Sequence, residues 1–109
     1  MTSRYVKIAV FVPEDHADAV REALGNAGAG QKAGSHYSHC TFSVKGSGRF
    51  LPGQGAKPHL GEVGSLQVVT EERIETICAR AILPEVLAAM KAVHPYEEVA
   101  YDVWALEDL

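Results

Sequence analysis

The order of apolar patterns along this 109-residue chain limits its fold more than any other feature. Residues 5–12 are rich in β-branched and aromatic side chains, which predicts a central strand. Pro13 and the two acidic residues after it are typical of a helix start. Apolar residues then recur at helical spacing from 17 to 27, and Gly28 and Gly30 follow where that helix should end.

The second half of the chain shows two strands, a helix and a further strand. Residues 36–44 alternate and predict a second strand. Residues 66–79 are strand-like with a charged middle, so they form two strands or one long protruding strand. Apolar residues at helical spacing begin at Leu83 and predict a second helix. Pro95 ends this helix, because helical backbone geometry is unfavourable for the residue before a proline. Residues 99–105 alternate again.

These elements predict one α+β domain over residues 1–109. The order βαββαβ is that of the ferredoxin-like class, with a four-stranded antiparallel sheet and both helices on one face. The opposite face of such a sheet is uncovered. Small domains commonly hide an uncovered face by forming oligomers, so we expect a homo-oligomer.

A glycine-rich loop is predicted between the second and third strands. Residues 45–64 hold six glycines and two prolines. Loops this long are usually functional or disordered. Their glycines do not follow the spacing of a phosphate-binding loop, and the segment joins two strands rather than a strand and a helix. We expect the loop to pack on a neighbouring subunit, with Phe50 and Leu51 as anchors. A phosphate-binding role and simple flexibility stay as alternatives.

Four side chains could in principle hold a transition metal such as zinc or copper: His36, His39, Cys40 and His59. On a strand, side chains alternate between the two faces, so a purely local site is disfavoured. His39 would therefore need ligands from elsewhere, such as Glu62, Glu75 or His94. The alternative is a structural histidine near the edge of the sheet.

The segment His-Pro-Tyr-Glu-Glu at 94–98 combines an imidazole with carboxylates. His94 is expected at a helix C-terminus, where the negative end of the helix dipole favours a cationic ring. His94 and Glu97 are candidate ligand-binding residues, and so are Arg73 and Glu75, which share one strand face. No nucleophile with its own base is evident, so a hydrolytic activity is disfavoured.

Composition excludes several classes of partner. The formal net charge is −4 with both signs interspersed, so no basic patch indicates nucleic-acid binding. No apolar run approaches the roughly 18 residues of a membrane span. The first residues lead into a strand without the apolar core of a signal peptide. Two cysteines do not make a disulfide framework, and we expect a cytoplasmic protein.

Five spaced motifs resemble the insert domain of the YqfO-type (NGG-interacting-factor-like) dinuclear-metal-centre proteins. They are YSHCTFS at 37–43, the segment 46–52, GEVG at 61–64, RIET at 73–76 and HPYEEVAYD at 94–102. The resemblance implies a fold similar to the trimeric signalling protein PII and the copper-tolerance protein CutA. It also implies that residues 45–64 correspond to the ligand- and partner-sensing loop of PII. In the full-length family a larger α/β domain holds the paired metal ions, so the resemblance predicts a stand-alone insert without that site.

The sequence therefore favours a non-catalytic, oligomeric binding or regulatory module, with a trimer as the preferred assembly. It would bind a metal or small ligand at clefts between subunits. Two alternatives stay open, namely an adaptor that docks a partner protein through loop 45–64 and a metal-dependent, hydrolase-like enzyme. The ligand-binding candidates are Phe50, Arg73, Glu75, His94 and Glu97, and the metal candidates are His39, Glu62 and His94.

Overall fold

The computed structural model describes residues 3–108 and contains four strands and two helices. A short 3-10 turn leads into each helix. The order of elements confirms the βαββαβ prediction. The elements are β1 (Tyr5–Pro13), α1 (Ala17–Asn26), β2 (Phe42–Phe50), β3 (Gln67–Ala79), α2 (Leu83–Val93) and β4 (Tyr101–Ala105).

The four strands form one antiparallel sheet in the order β2-β3-β1-β4. The apolar strand β1 is central, as its composition predicts, and β2 and β4 are the two edges. β3 is a single strand of 13 residues, and its first part, before Glu71, pairs with β2 alone. β2 and β3 therefore project beyond the rest of the sheet as a two-stranded ribbon.

The core lies on one face of this sheet. Alternate residues of β1 and β3 point into it, because side chains alternate along a strand. Both helices cover this face, as predicted. The buried cluster joins the strand residues Val6, Ile8, Val10, Val12, Ile74 and Cys78 to the helix residues Val20, Leu24, Val86 and Met90. Across residues 3–108, no helix is long and apolar enough to cross a lipid bilayer.

The other face of the sheet is uncovered and carries exposed apolar side chains. Phe42 is 65% exposed, Val44 47% and Trp104 41%. The strand register places Phe42 beside Glu75, Val44 beside Arg73 and Trp104 beside Lys7. Phe11 also pairs with Arg73 on this face. The uncovered surface therefore mixes large apolar groups with charged ones.

The prediction of a second strand at residues 36–44 is wrong in its boundaries, because β2 begins at Phe42. The residues before it run along the end of α1 in an irregular path. His39 adopts a left-handed backbone with φ of 58°. The Cys40 N–H donates to the Gly30 carbonyl at 3.0 Å, and the Thr76 hydroxyl donates to the Cys40 carbonyl at 2.8 Å. These bonds replace a strand ladder up to Cys40, so His36, His39 and Cys40 do not alternate between sheet faces.

The predicted loop at 45–64 is corrected as well, because β2 continues to Phe50 and the connection spans residues 51–66. Gly46 and Gly48 lie within β2, although glycine usually weakens a strand. Gly48 has a packing reason to be glycine. The carboxylate of Glu71 lies over it, and a Cβ atom at Gly48 would clash with Oε1 of Glu71.

Candidate functional site

A concave pocket of about 330 Å³ lies between the connection 51–66 and the segment that follows α2. Its apolar walls come mainly from the end of β2 and from the connection. Its polar groups come from both sides of the cleft. The apolar lining includes Phe50, Leu51, Pro52, Pro58, Leu60 and Ala100, and the polar lining consists of Arg49, His59, Glu71, Tyr96, Glu97 and Glu98.

Two hydrogen bonds hold the connection 51–66 in place beside the pocket. The Gly64 N–H donates to the Pro52 carbonyl at 2.8 Å and closes the base of the loop. The Lys57 N–H donates to Oε1 of Glu97 at 2.7 Å and ties the loop to the segment after α2. Both walls are therefore fixed within one copy of the chain.

Tyr96 and Glu71 form the polar centre of the site. The Tyr96 hydroxyl donates to Oε2 of Glu71 at 2.7 Å. Burial, reinforced by the hydrogen bond to Glu71, raises the pKa of the Tyr96 hydroxyl well above its ordinary value. Tyr96 therefore stays a hydrogen-bond donor at neutral pH, as its bond to Glu71 requires.

Several rings surround Tyr96. Its ring centroid lies 6.0 Å from that of Phe50, 6.4 Å from that of His59 and 5.1 Å from that of His94. His59 in turn meets His16 edge to face, with centroids 5.5 Å apart. The wall around Tyr96 is thus largely aromatic, and such rings offer flat surfaces for a planar ligand.

His94 supports Tyr96 as a neutral ring. Its Nε2–H donates to the Phe11 carbonyl at 2.8 Å, and its Nδ1 accepts from the Tyr96 N–H at 3.2 Å. Burial lowers the pKa of His94, against smaller opposing effects of the Phe11 carbonyl and the charge of Glu71. The expectation of a cationic imidazole is therefore wrong, because burial outweighs the helix dipole and because Nδ1 is used as an acceptor.

The lowered pKa of His94 predicts a pH dependence of stability. In the unfolded chain an imidazole takes up a proton near pH 6.5, roughly its ordinary pKa. The folded ring resists protonation, so below that pH the unfolded state binds more protons. The contribution of neutral His94 to the free energy of unfolding is therefore fully present above the pKa of the unfolded chain. It is lost as the pH falls from that value towards the lower pKa of the folded protein. Urea titrations should show this slope and its loss in His94→Gln, whereas an equal slope in both chains would contradict it.

The structure brings three of the predicted ligand-binding residues together. Phe50 and Glu97 line the pocket, and the ring of His94 packs against Tyr96 outside the lining. Arg73 and Glu75 lie elsewhere, on the uncovered sheet face. There the Arg73 guanidinium bonds Glu75 at 3.1 Å and lies 5.8 Å from the centroid of the Phe11 ring.

The three predicted metal ligands are not gathered within one copy. Nε2 of His39 lies 3.0 Å from Oδ1 of Asn26, and its Nδ1 lies 2.9 Å from the hydroxyl of Ser38. Glu62 is exposed in the connection, and His94 is bonded to backbone. Within residues 3–108, no three histidine, cysteine or acidic side chains stand close enough to hold a metal ion. A zinc or copper site stays a prediction that needs groups from more than one subunit.

Sequence reasoning did not select Glu71, Tyr96 and Arg49 as site residues. Tyr96 carried a signal, since it lies inside the 94–98 motif beside two chosen residues. Glu71 carried none, because only the pairing of β2 with β3 shows that its side chain crosses Gly48. His59 was considered as a metal ligand and instead lines the pocket.

Comparison with known proteins confirms the resemblance. No family model matches the chain. The chain is 52% identical over 101 residues to the GTP cyclohydrolase 1 type 2 homolog of Bacillus subtilis, covering 93% of this chain and 26% of that protein. The crystal structure of a Bacillus cereus protein related to NIF3 matches with a TM-score of 0.83 and 47% identity, over 99% of this chain and 27% of that one.

A more distant likeness concerns the fold alone. CutA1 from Shewanella sp. SIB1 is 14% identical with a TM-score of 0.70, over 99% of this chain and 86% of that one. The chain spans about a quarter of the length of the curated relatives it matches. The chain therefore has a CutA-like fold and is homologous to a segment of the NIF3-related GTP cyclohydrolase 1 type 2 homologs.

Proposed function

We propose that this chain is a non-catalytic, oligomeric binding module that takes a small organic ligand in the pocket beside Tyr96. The observation that carries the proposal is the pocket itself. At about 330 Å³ it has the size of a small-molecule site, with mostly apolar walls and a few polar groups. Tyr96 and Glu71 provide a hydrogen-bonded pair at its wall.

The oligomeric part of the proposal rests on the uncovered sheet face. Three large apolar side chains, Phe42, Val44 and Trp104, are exposed there beside charged groups that a second copy could pair. The edges of β2 and β4 also have free backbone groups, which natural sheets commonly cover. A homotrimer agrees with the resemblance to PII. It would place further clefts between subunits, where Arg73, Glu75 or a metal ion could take part in binding.

An adaptor function is the second candidate. Leu51, Val63 and Leu66 are exposed on or beside the connection 51–66. These side chains favour docking of a protein partner, including the remainder of a longer protein like the relatives. Metal-dependent hydrolysis, the third hypothesis, would need a metal site assembled from several copies.

A fragment screen tests the proposed ligand site. Fragments of drug-like size are added to ¹⁵N-labelled protein, and amide shifts are followed by NMR. We expect binders to move the amides of Lys57, Tyr96 and Glu97 together, because these residues border one cleft. The amide of Gly34, in the connection between α1 and β2, serves as an internal control. A screen in which no fragment shifts the pocket amides would contradict the proposal.

A further inference from the structure

We propose that the pocket selects a planar organic cation of the amidinium or guanidinium type. Its N–H groups would bond the carboxylate of Glu71, and its plane would lie against Phe50 and Tyr96. This inference rests on the proposed function and names the class of ligand that the same pocket takes.

The charge of the lining favours a cation. Three carboxylates line the pocket, those of Glu71, Glu97 and Glu98, against one guanidinium, that of Arg49. Oε1 of Glu97 is already used by the Lys57 N–H. Glu71 is the carboxylate that lies beside the aromatic wall.

One oxygen of the Glu71 carboxylate is open to a ligand. Its Oε2 accepts from Tyr96, whereas no donor within residues 3–108 bonds its Oε1. No lysine or arginine in that range forms an ion pair with this carboxylate. Every buried side-chain oxygen within residues 3–108 has a hydrogen bond. Because Oε1 has none, it must be exposed, and solvent or a ligand can reach it. Hydrogen bonds from a cationic N–H group to such an oxygen are among the strong ones in proteins.

The position of this carboxylate is fixed before a ligand arrives. The Tyr96 hydroxyl holds one oxygen at 2.7 Å, and Gly48 leaves room for the other against β2. Binding then costs little conformational entropy of the side chain, which improves affinity.

The rings complete the preference. The rings of Phe50 and Tyr96 are inclined at 59° with centroids 6.0 Å apart, and both border the pocket. A flat cation placed against such a ring gains a cation–π attraction that a neutral or anionic plane does not. The same rings also accept its apolar part.

Three probes of equal size and different charge test the inference: benzamidine, benzamide and benzoate. Each is titrated into the ¹⁵N-labelled full chain, and the amides of Lys57, Tyr96 and Glu97 are followed by NMR. We expect benzamidine to bind at least about tenfold more tightly than benzamide, since a charged hydrogen bond contributes this much, and benzoate not to bind. Equal binding of benzamide or benzoate would overturn the inference. If other fragments bind there and benzamidine does not, the inference fails and the proposed function stands.

Three variants locate the effect on Glu71. Glu71→Gln keeps the shape and removes the charge, and Gly48→Ala keeps the charge and displaces the carboxylate. Both should weaken benzamidine binding by about tenfold or more. Gly46→Ala is the matched control, because it lies on the same strand with nothing within 4 Å of the added methyl group, and it should bind as the wild type does. Wild-type affinity in a folded Glu71→Gln chain would overturn the inference.

Discussion

The double substitution Phe42→Asp and Val44→Asp is expected to convert the proposed oligomer into single copies. Both side chains stand on the uncovered face of the sheet and are largely exposed in one copy. If sister copies bury this face, two carboxylates placed there lose hydration. The one at position 42 stands opposite Glu75, and the one at position 44 stands opposite Arg73, which Glu75 already engages. Burial of such charges costs several kcal/mol each, on the order of the whole association energy. Light scattering coupled to size-exclusion chromatography at micromolar concentration measures the mass.

A control on the same strand separates this effect from general damage. Ser47 is exposed on β2 but points to the other side of the sheet from Val44. Ser47→Asp should leave the mass unchanged. The double variant should keep the far-ultraviolet circular dichroism of the wild type, because neither side chain belongs to the core. An unchanged mass in the double variant would show that this face is not the interface.

Gly30→Ala is expected to lower the free energy of unfolding by about 2–4 kcal/mol, since it adds an overpacking cost to a strained backbone. Gly30 has a φ of 80°, and a Cβ atom there would clash with the backbone nitrogen of Cys40. The residue also connects two parts of the fold. Its N–H donates to the Ile77 carbonyl at 2.7 Å, and its carbonyl accepts from Cys40.

Gly34→Ala provides the matched comparison. Gly34 has the same φ of 80°, but nothing lies within 4 Å of an added Cβ atom. It should therefore cost only the backbone strain, about 1 kcal/mol. Urea denaturation of both variants measures the difference. Equal losses would mean that the close approach of Gly30 to Cys40 does not contribute to stability.

The sequence predicted the elements whose boundaries depend on local chemistry. Pro95 stops α2 because of its effect on the residue before it, and Gly28 follows the end of α1 in a left-handed conformation. The apolar run of β1 identified the central strand for a similar reason. These signals act within a few residues, so they can be read from the chain alone.

The start of β2 could not be predicted because distant residues decide it. Residues 36–41 alternate like a strand, yet a hydrogen bond to the Gly30 carbonyl and one from the Thr76 hydroxyl hold Cys40 in an irregular path. The glycines of residues 46–48 suggest a loop. They belong to a strand because Gly46 and Gly48 pair with Glu71 and Val69 of β3, and the side chain of Glu71 takes the space above Gly48.

Some features of the candidate site could be predicted from the sequence, and others depend on distant contacts. Phe50 and Glu97 were expected at a cleft because the long connection and the turn after α2 could be located in the sequence. The neutral state of His94 could not be predicted from the sequence, since it depends on burial and on the carbonyl of Phe11, 83 residues away in the chain. Glu71 entered the site only through the strand register.

Sedimentation equilibrium of the full chain shows whether sister copies cover the open face of the sheet. At micromolar concentration we expect an associated species, with a mass about three times the chain mass of 11.7 kDa. A single species at 11.7 kDa across the micromolar range would contradict it.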